Sequence, residues 1–280
     1  MGIIRVLAVG DVCGKPGLTF LNQHLKKIQK EHHIDFTVVN GENANVVGVK
    51  PSQCEEIFKA GATVITLGNH TWVRREIQDY LNHVSCCLRP ANYAPQCPGR
   101  GYGIYEMPFG RICVINLLGR FTLDPNTDNP MVVVDDILSR VEADADVILV
   151  DFHAEASSEK RAMGYFLENR VSAVWGTHTH VQTSDCCILE GGAGYISDLG
   201  MTGSVRSVLG VDIAQSIGRC LGDPPQRYSS GGGPAKMECA VFEIDAQTGK
   251  CLDAHSHRFI FEEKPGSDNP KSSNTPQTGK

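Results

Sequence analysis

The sequence predicts an α/β fold in which helices cover both faces of a central β-sheet system. Short β-branched runs such as IIRVLAV (3–9) and FTVVN (36–40) alternate with segments of helical periodicity up to Thr179. The 280 residues are enough for one sizeable α/β domain, and a hydrophobic content of 41% is typical of a folded core. Beyond Thr179, strand patterns follow one another without helical patterns between them, which predicts antiparallel strands that extend or close the sheet system.

The individual elements follow from this alternation. Apolar, β-branched runs pack well on a pleated surface and predict strands at residues 3–9, 36–40, 63–68, 111–119, 146–153, 171–175, 236–245 and 251–261. Apolar side chains at helical spacing predict helices at residues 18–30, 52–60, 74–81, 133–142 and 159–169. The glycine-rich stretches LEGGAGYISDLGMTGS (189–204) and YSSGGGPA (228–235) are predicted to be loops.

The end of the chain has a different composition from the rest. The segment KPGSDNPKSSNTPQTGK (264–280) contains almost no apolar side chain that a core could bury. Segments of this kind cannot offset the entropy lost on folding. We therefore expect a single domain over residues 1–262 and a disordered tail over residues 263–280.

Charge and cysteine content narrow the classes of function. A formal net charge of -6 argues against binding of nucleic acid through diffuse positive charge, but leaves a small phosphorylated substrate open. The eleven cysteines are odd in number and form no C-x-x-C pair, and the start of the chain does not resemble a signal peptide, so we expect reduced thiols in a cytoplasmic protein. No apolar run is long enough to span a bilayer. The oligomeric state is left open, a homo-oligomer included.

Polar residues suited to metal binding or acid–base chemistry follow five of the predicted strands. They are Asp11, Glu42 with Asn43, Asn69 with His70, His153, and His178 with His180. The carboxyl ends of strands in an open α/β sheet lie along one edge, so these side chains are expected to converge in one crevice. Each residue alone has an ordinary interpretation as a helix cap, a turn residue or a structural histidine. Separate structural roles of this kind do not readily explain why five strands are all followed by such residues.

Convergence of these residues predicts a metal site. Oxygen and nitrogen ligands without thiolate favour Mn, Fe or Zn over a cysteine-rich structural zinc site. His178 and His180 are two residues apart, so both rings point to one side if that stretch is extended. Two ions about 3.5 to 4 Å apart can share one carboxylate, activate a bridging water and clamp a phosphoryl group. Glu42 is the candidate for the shared carboxylate.

The loop GDVCGKPG (10–17) has two interpretations, a phosphate cradle or a metal site. A Walker loop requires G-x-x-x-x-G-K-[ST], whereas Gly10 and Gly14 are one residue too close and Pro16 replaces the hydroxyl residue. The phosphate-cradle interpretation therefore fails. Asp11 is better interpreted as a metal ligand, with Gly14 and Gly17 making tight turns around it.

Several motifs resemble a known superfamily. GD after the first strand, GNH (68–70) and GTHTH (176–180) resemble the calcineurin-like metallophosphoesterases, and longer stretches resemble the YmdB-like branch of that superfamily. These stretches are GDVCGKPG, NGENAN, TLGNHTW, RPANY, PGRGYG, DFHAEASSEK, VSAVWGTHTHVQT and YISDLGMTGS. The resemblance covers about residues 3–245 and implies a calcineurin-like metallophosphoesterase sandwich, with central β-sheets flanked by helices.

The resemblance also implies a site and an activity. The superfamily's D-x-H motif is Asp11-Val12-Cys13 here, and in the YmdB-like branch an asparagine, matching Asn43, takes the place of the missing histidine. Two divalent metals, Fe or Mn in preference to Zn, would then be bound by two sets that share Glu42. The sets are Asp11, Glu42, Asn43 and His180, and Glu42, Asn69, His153 and His178.

The implied reaction is hydrolysis of phosphodiesters, with cyclic nucleotides such as 2',3'- or 3',5'-cAMP as the substrate class. His70 is implied to be the acid that protonates the leaving oxygen, since an imidazole can donate a proton near neutral pH. The branch commonly has aspartate at the position of Val73, so this sequence departs from the pattern at the rim of the pocket. Two alternatives stay open: a phosphomonoesterase or 5'-nucleotidase on the same metal core, and a nucleotide-sensing protein with little turnover.

Overall fold

The computed structural model describes residues 2–123 and 126–261. The tail predicted at 263–280 lies outside the described residues. The helices are α1 (Gly14–Glu31), α2 (Pro51–Ala60), α3 (Ile77–His83), α4 (Pro130–Val141), α5 (Ser157–Leu167) and α6 (Ile213–Leu221). None of the helices within these two ranges has the length and apolar character needed to cross a membrane.

The strands form two mixed sheets. The strands of the first sheet are β1 (Ile3–Val9), β2 (Asp11–Val12), β3 (Phe36–Asn40), β4 (Val64–Thr66), β5 (Cys87–Leu88), β12 (Met201–Val211), β13 (Ser230–Asp245) and β14 (Cys251–Phe261). The strands of the second sheet are β6 (Tyr102–Met107), β7 (Gly110–Leu118), β8 (Val147–His153), β9 (Ala173–Thr177), β10 (Cys187–Ile188) and β11 (Gly194–Ile196).

Each sheet contains a block of neighbouring parallel strands. The first sheet has the order β2-β12-β13-β1-β3-β4-β5, in which β1, β3, β4 and β5 are parallel and β14 also pairs with β13. The second sheet has the order β10-β11-β9-β8-β7-β6, with β7, β8 and β9 parallel. Since the parallel strands of each sheet share one direction, their carboxyl ends form one edge in each sheet.

The two sheets pack face to face around a shared apolar core. Val6, Phe36 and Phe242 of the first sheet belong to the same buried cluster as Leu149 and Trp175 of the second. The rings of Trp175 and Phe242 stack across the interface with centroids 5.8 Å apart. Helices α1 and α2 cover the outer face of the first sheet, and α4 and α5 cover that of the second. The predicted sandwich with helices on both outer faces is confirmed.

In the last third of the chain the predicted antiparallel strands are present as β13 and β14, but two other predictions were wrong. Strands β12 and β13 begin inside the two glycine-rich stretches that were predicted to be loops. A Cβ at Gly231 would overlap the backbone of the paired strand near Arg206, so glycine serves strand packing there rather than a turn. Helix α6 lies where only strands were expected, with Asp212 as its N-cap and Gly222, at φ 99°, just after its last residue.

The two glycines after Asp11 have different roles. Gly14 has φ 61° and makes the predicted turn into α1. Gly17, predicted to make a turn, lies inside α1, which begins four residues earlier than expected. A Cβ at Gly17 would overlap the carbonyl oxygen of Thr202, so the lack of a side chain lets α1 approach β12 closely.

Candidate active site at the carboxyl ends of the strands

The structure brings all eight predicted site residues into one crevice. Each lies at or just beyond the carboxyl end of a parallel strand, and the strands come from both sheets. Asp11 follows β1, Glu42 and Asn43 follow β3, Asn69 and His70 follow β4, His153 ends β8, and His178 and His180 follow β9. Strand direction and sheet packing therefore place side chains far apart in sequence next to one another.

His153 lies at the centre of one half of the cluster. Its Nε2 atom is 3.0 Å from Glu42 Oε1, 3.0 Å from Asn69 Oδ1 and 3.1 Å from His178 Nδ1. The side chains of His153 and Glu42 are fully buried. Donor atoms of Glu42, His153 and His178 all lie within 4.8 Å of one another, which is a spacing suited to a shared metal ion.

Asp11 and His180 form the other half. His180 Nε2 lies 3.6 Å from Asp11 Oδ1 and 3.2 Å from the amide nitrogen of Asn43. That amide nitrogen also lies 3.2 Å from Glu42 Oε1. The Glu42 carboxylate is thus the group that the two halves share. Cys13 packs against this half, with its Sγ 3.5 Å from His180 Nδ1.

His70 lies beside the cluster through its backbone. The His70 N–H donates to Glu42 Oε2 at 3.0 Å, and the residue is half-buried. The backbone of His70 is therefore fixed against the shared carboxylate, next to Asn69.

The segment that carries His178 and His180 is not extended, contrary to the prediction that both rings would point to one side. Strand β9 ends at Thr177, and His178 and His180 have φ angles of 105° and 62°. The cause is a long-range contact, since Asp198 Oδ2 accepts a hydrogen bond from Thr179 N at 3.0 Å. Lys160 pairs with the same oxygen at 2.6 Å, and both side chains are buried. The two rings reach different halves of the cluster as a result.

The ionisable groups of the cluster shift one another's pKa values. Burial raises the pKa of Asp11, but the His180 ring 3.6 Å away, the charge of His153 and the backbone N–H of His178 together outweigh burial and hold that pKa well below its usual range. Burial also raises the pKa of Glu42, but the charge and the hydrogen bond of His153, with a smaller contribution from the charge of His70, together lower that pKa below its usual value. Burial and the charge of His153 lower the pKa of His178 to about 4. Asp11 and Glu42 are therefore ionised and His178 is neutral at pH 7, while the charges of Glu42, Asp11 and Asp151 together outweigh burial and raise the pKa of His153.

The residues present fit a bound metal. A ring nitrogen carries at most one proton, yet His153 Nε2 lies within 3.1 Å of three acceptor atoms. Asp11 Oδ1 is buried and has no hydrogen-bond partner among the described residues. Buried polar atoms are almost always paired, so this arrangement is costly for protein atoms alone. Cations between these atoms satisfy both the carboxylate and the ring nitrogen.

Sequence reasoning missed several residues that support this cluster. Glu155 Oε2 lies 3.0 Å from His178 Nε2, and Thr177 Oγ1 lies 2.9 Å from His153 Nδ1. Asp151 accepts a hydrogen bond from Thr177, and burial raises the pKa of its carboxyl to about 6. Asp151 interrupts the apolar run VILVDFH, and a carboxylate inside such a run is the signal that could have identified it.

The chain is similar to known proteins along most of its length. A protein-family profile described as YmdB-like protein matches residues 7–256. A Bacillus subtilis (strain 168) protein named 2',3'-cyclic-nucleotide 2'-phosphodiesterase is 39% identical over 250 residues, covering 89% of this chain and 94% of that protein. The crystal structure of a phosphatase from Mycoplasma pneumoniae is 30% identical with a TM-score of 0.88, covering 95% of this chain and 96% of that one.

A hypothetical protein from Thermus thermophilus has a crystal structure that matches with a TM-score of 0.85 and 34% identity, covering 93% of this chain and all of that one. Two sheets flanked by helices, with oxygen and nitrogen donors at the strand ends, define a metallophosphoesterase fold, and the chain is an enzyme of the phosphoesterase class. The family-profile match covers most of the chain and therefore identifies the family within this class of enzymes. The chain belongs to the YmdB-like family.

Proposed function

We propose that this chain is a dinuclear-metal phosphodiesterase that hydrolyses cyclic nucleotides of the 2',3'-cAMP or 3',5'-cAMP type. The observation that carries the proposal is the buried cluster in which Asp11 Oδ1 has no hydrogen-bond partner among the described residues and His153 Nε2 faces three acceptors. The Bacillus subtilis relative, named as a 2',3'-cyclic-nucleotide 2'-phosphodiesterase, supports the substrate class. The eleven free cysteines support a location in the reducing cytoplasm.

Two sets of ligands would hold the metals, and Glu42 belongs to both. One set is Asp11, Glu42, Asn43 and His180, and the other is Glu42, Asn69, His153 and His178. The position of Glu42 supports this division, because its Oε1 atom lies 3.2 Å from the Asn43 amide and 3.0 Å from His153. We favour Fe or Mn over Zn. When bound, two such cations supply Lewis-acid activation of water and neutralise charge on the phosphoryl oxygens.

His70 is proposed to protonate the leaving oxygen. Its backbone N–H donates to Glu42 Oε2 at 3.0 Å and it follows Asn69 directly, which supports a place for its ring beside the ligand cluster. A positioned imidazole can donate a proton near neutral pH, and such a donor contributes about 10²- to 10⁴-fold to a rate. A protein that only senses nucleotides has no need of a proton donor, which favours the enzyme over the sensor.

The experiment that tests the function compares phosphodiesters with phosphomonoesters. After reconstitution with Mn²⁺, we expect the protein to hydrolyse bis-p-nitrophenyl phosphate and 2',3'-cAMP at a higher kcat/KM than p-nitrophenyl phosphate and 3'-AMP. The second candidate, a phosphomonoesterase, is favoured by the Mycoplasma pneumoniae structure, which is described as a phosphatase. A clear preference for both monoesters would establish that candidate and end the phosphodiesterase proposal.

A further inference from the structure

A buried hydrogen-bonded chain lies on the Nδ1 side of the His153 ring. His153 Nδ1 is 2.9 Å from Thr177 Oγ1, and Thr177 Oγ1 is 2.7 Å from Asp151 Oδ1. All three side chains are fully buried. The pairing of β8 with β9 places His153 opposite Thr177, so the register of the second sheet builds this contact.

The available hydrogens fix the direction of each bond in the chain. Asp151 Oδ2 accepts from the Thr66 hydroxyl at 2.5 Å and from the Asn40 amide at 3.4 Å, and Asp151 Oδ1 accepts from the Thr177 hydroxyl. Asn40 Oδ1 accepts from the Glu42 N–H at 3.2 Å, which fixes the orientation of the Asn40 amide. Each of these partners of Asp151 is thus a donor, as an ionised carboxylate requires.

A hydroxyl has one hydrogen, and Thr177 gives it to Asp151. The Thr177 oxygen can therefore only accept from His153, which requires a hydrogen on His153 Nδ1. The Asn40 amide nitrogen also lies near His153 Nδ1, at 3.4 Å, but it is closer to Thr177 at 3.3 Å and the Thr177 contact of His153 is much shorter. With the hydrogen on Nδ1, the lone pair of neutral His153 is on Nε2.

We infer that Thr177 and Asp151 are positioning residues that hold His153 as the Nδ1–H tautomer, with its Nε2 lone pair aimed at a metal. The inference rests on the proposed function, because it takes His153 as a ligand. The negative charge of Asp151, transmitted through the Thr177 hydroxyl, also increases the basicity of Nε2 and so strengthens its bond to a cation. Partners of this kind typically contribute about 10- to 100-fold to metal affinity.

Thr66 provides a matched control within the same network. It is as buried as Thr177 and donates to the same carboxylate, but to the other oxygen and without contacting His153. Thr66→Val and Thr177→Val each remove one buried hydroxyl with little change in shape. Each variant removes one of the hydrogen bonds that Asp151 accepts, so the resulting loss of stability is common to both. Only Thr177→Val removes the acceptor for His153 Nδ1–H.

The test measures Mn²⁺ affinity by competition with a chelator for the parent, Thr177→Val, Thr177→Ser and Thr66→Val, with a thermal melt of each. We expect Thr177→Val to bind Mn²⁺ about 10- to 100-fold more weakly than Thr66→Val, and Thr177→Ser to restore affinity to within about 3-fold of the parent. If Thr177→Val does not fold, the serine variant and a Thr177→Ala variant provide the same comparison.

Equal Mn²⁺ affinity in Thr177→Val and Thr66→Val would overturn the inference, as would a serine variant no better than the valine variant. These outcomes are distinct from failure of the proposed function. If the parent itself binds no Mn²⁺ at this cluster, the metal site proposed for the enzyme is wrong. If the parent binds and the threonine variants match it, only the positioning role is wrong.

Discussion

Replacing Gly68 with alanine is expected to remove metal binding and to lower phosphoesterase activity at least about 100-fold while the protein stays folded. Gly68 precedes Asn69, and a Cβ built on it would overlap Glu42 Oε2 and the His153 ring. The backbone at Gly68 is not in the left-handed region, so alanine introduces no backbone strain there. The added methyl group would therefore displace Glu42 and His153, the two side chains that the proposal places at the centre of the metal cluster.

Gly232→Ala is the control for this substitution. It makes the same chemical change in β13, where a Cβ would meet no atom within 4 Å and the backbone is likewise outside the left-handed region. We expect its metal content, activity and melting temperature to match the parent. Metal content by elemental analysis and kcat/KM report the outcome. A Gly68→Ala protein that retains two metals and parental activity would show that this cluster is not the active site.

Replacing His70 with alanine is expected to lower kcat on 2',3'-cAMP by about 10²- to 10⁴-fold without loss of metal. The proposed ligand sets do not include His70, so the metal content should equal that of the parent. The loss should be much smaller with bis-p-nitrophenyl phosphate, because p-nitrophenolate leaves readily without protonation. The ratio of the two losses therefore measures proton donation rather than general damage to the site.

His83→Ala serves as the control for this experiment, since His83 is an exposed histidine at the end of α3. Its kinetics on both substrates should match the parent. A His70→Ala variant that hydrolyses 2',3'-cAMP at the parental rate would remove the role proposed for His70. An equal loss on both substrates would assign His70 to binding or structure instead of acid catalysis.

The first two thirds of the fold could be predicted because its signals are local. Five parallel strands (β1, β3, β4, β8 and β9) end in, or are closely followed by, a polar residue of the site, and the geometry of parallel sheets brings Asp11, Glu42 and His153 together. The glycine-rich region after residue 188 misled the prediction, because glycine marks both turns and places where two backbones pack closely. Gly231 belongs to the second kind, and only the pairing of β12 with β13 reveals it.

The parts of the site that escaped prediction depend on contacts between distant segments. Thr177 lies opposite His153 only because of the register between β8 and β9, which no local pattern specifies. The left-handed conformations of His178 and His180 likewise depend on Asp198, which holds Thr179 from 19 residues away. Residue types at strand ends thus predict which side chains meet, whereas their rotation and hydrogen bonding depend on tertiary structure.

The most direct test of the account is a crystal structure of the Mn²⁺-loaded protein with anomalous data collected at the manganese absorption edge. We predict two anomalous peaks about 3.5 to 4 Å apart on either side of Glu42. One should contact Asp11, Asn43 and His180, and the other Asn69, His153 and His178. A loaded, active protein with no peak at Glu42, or with manganese bound only elsewhere, would contradict the account.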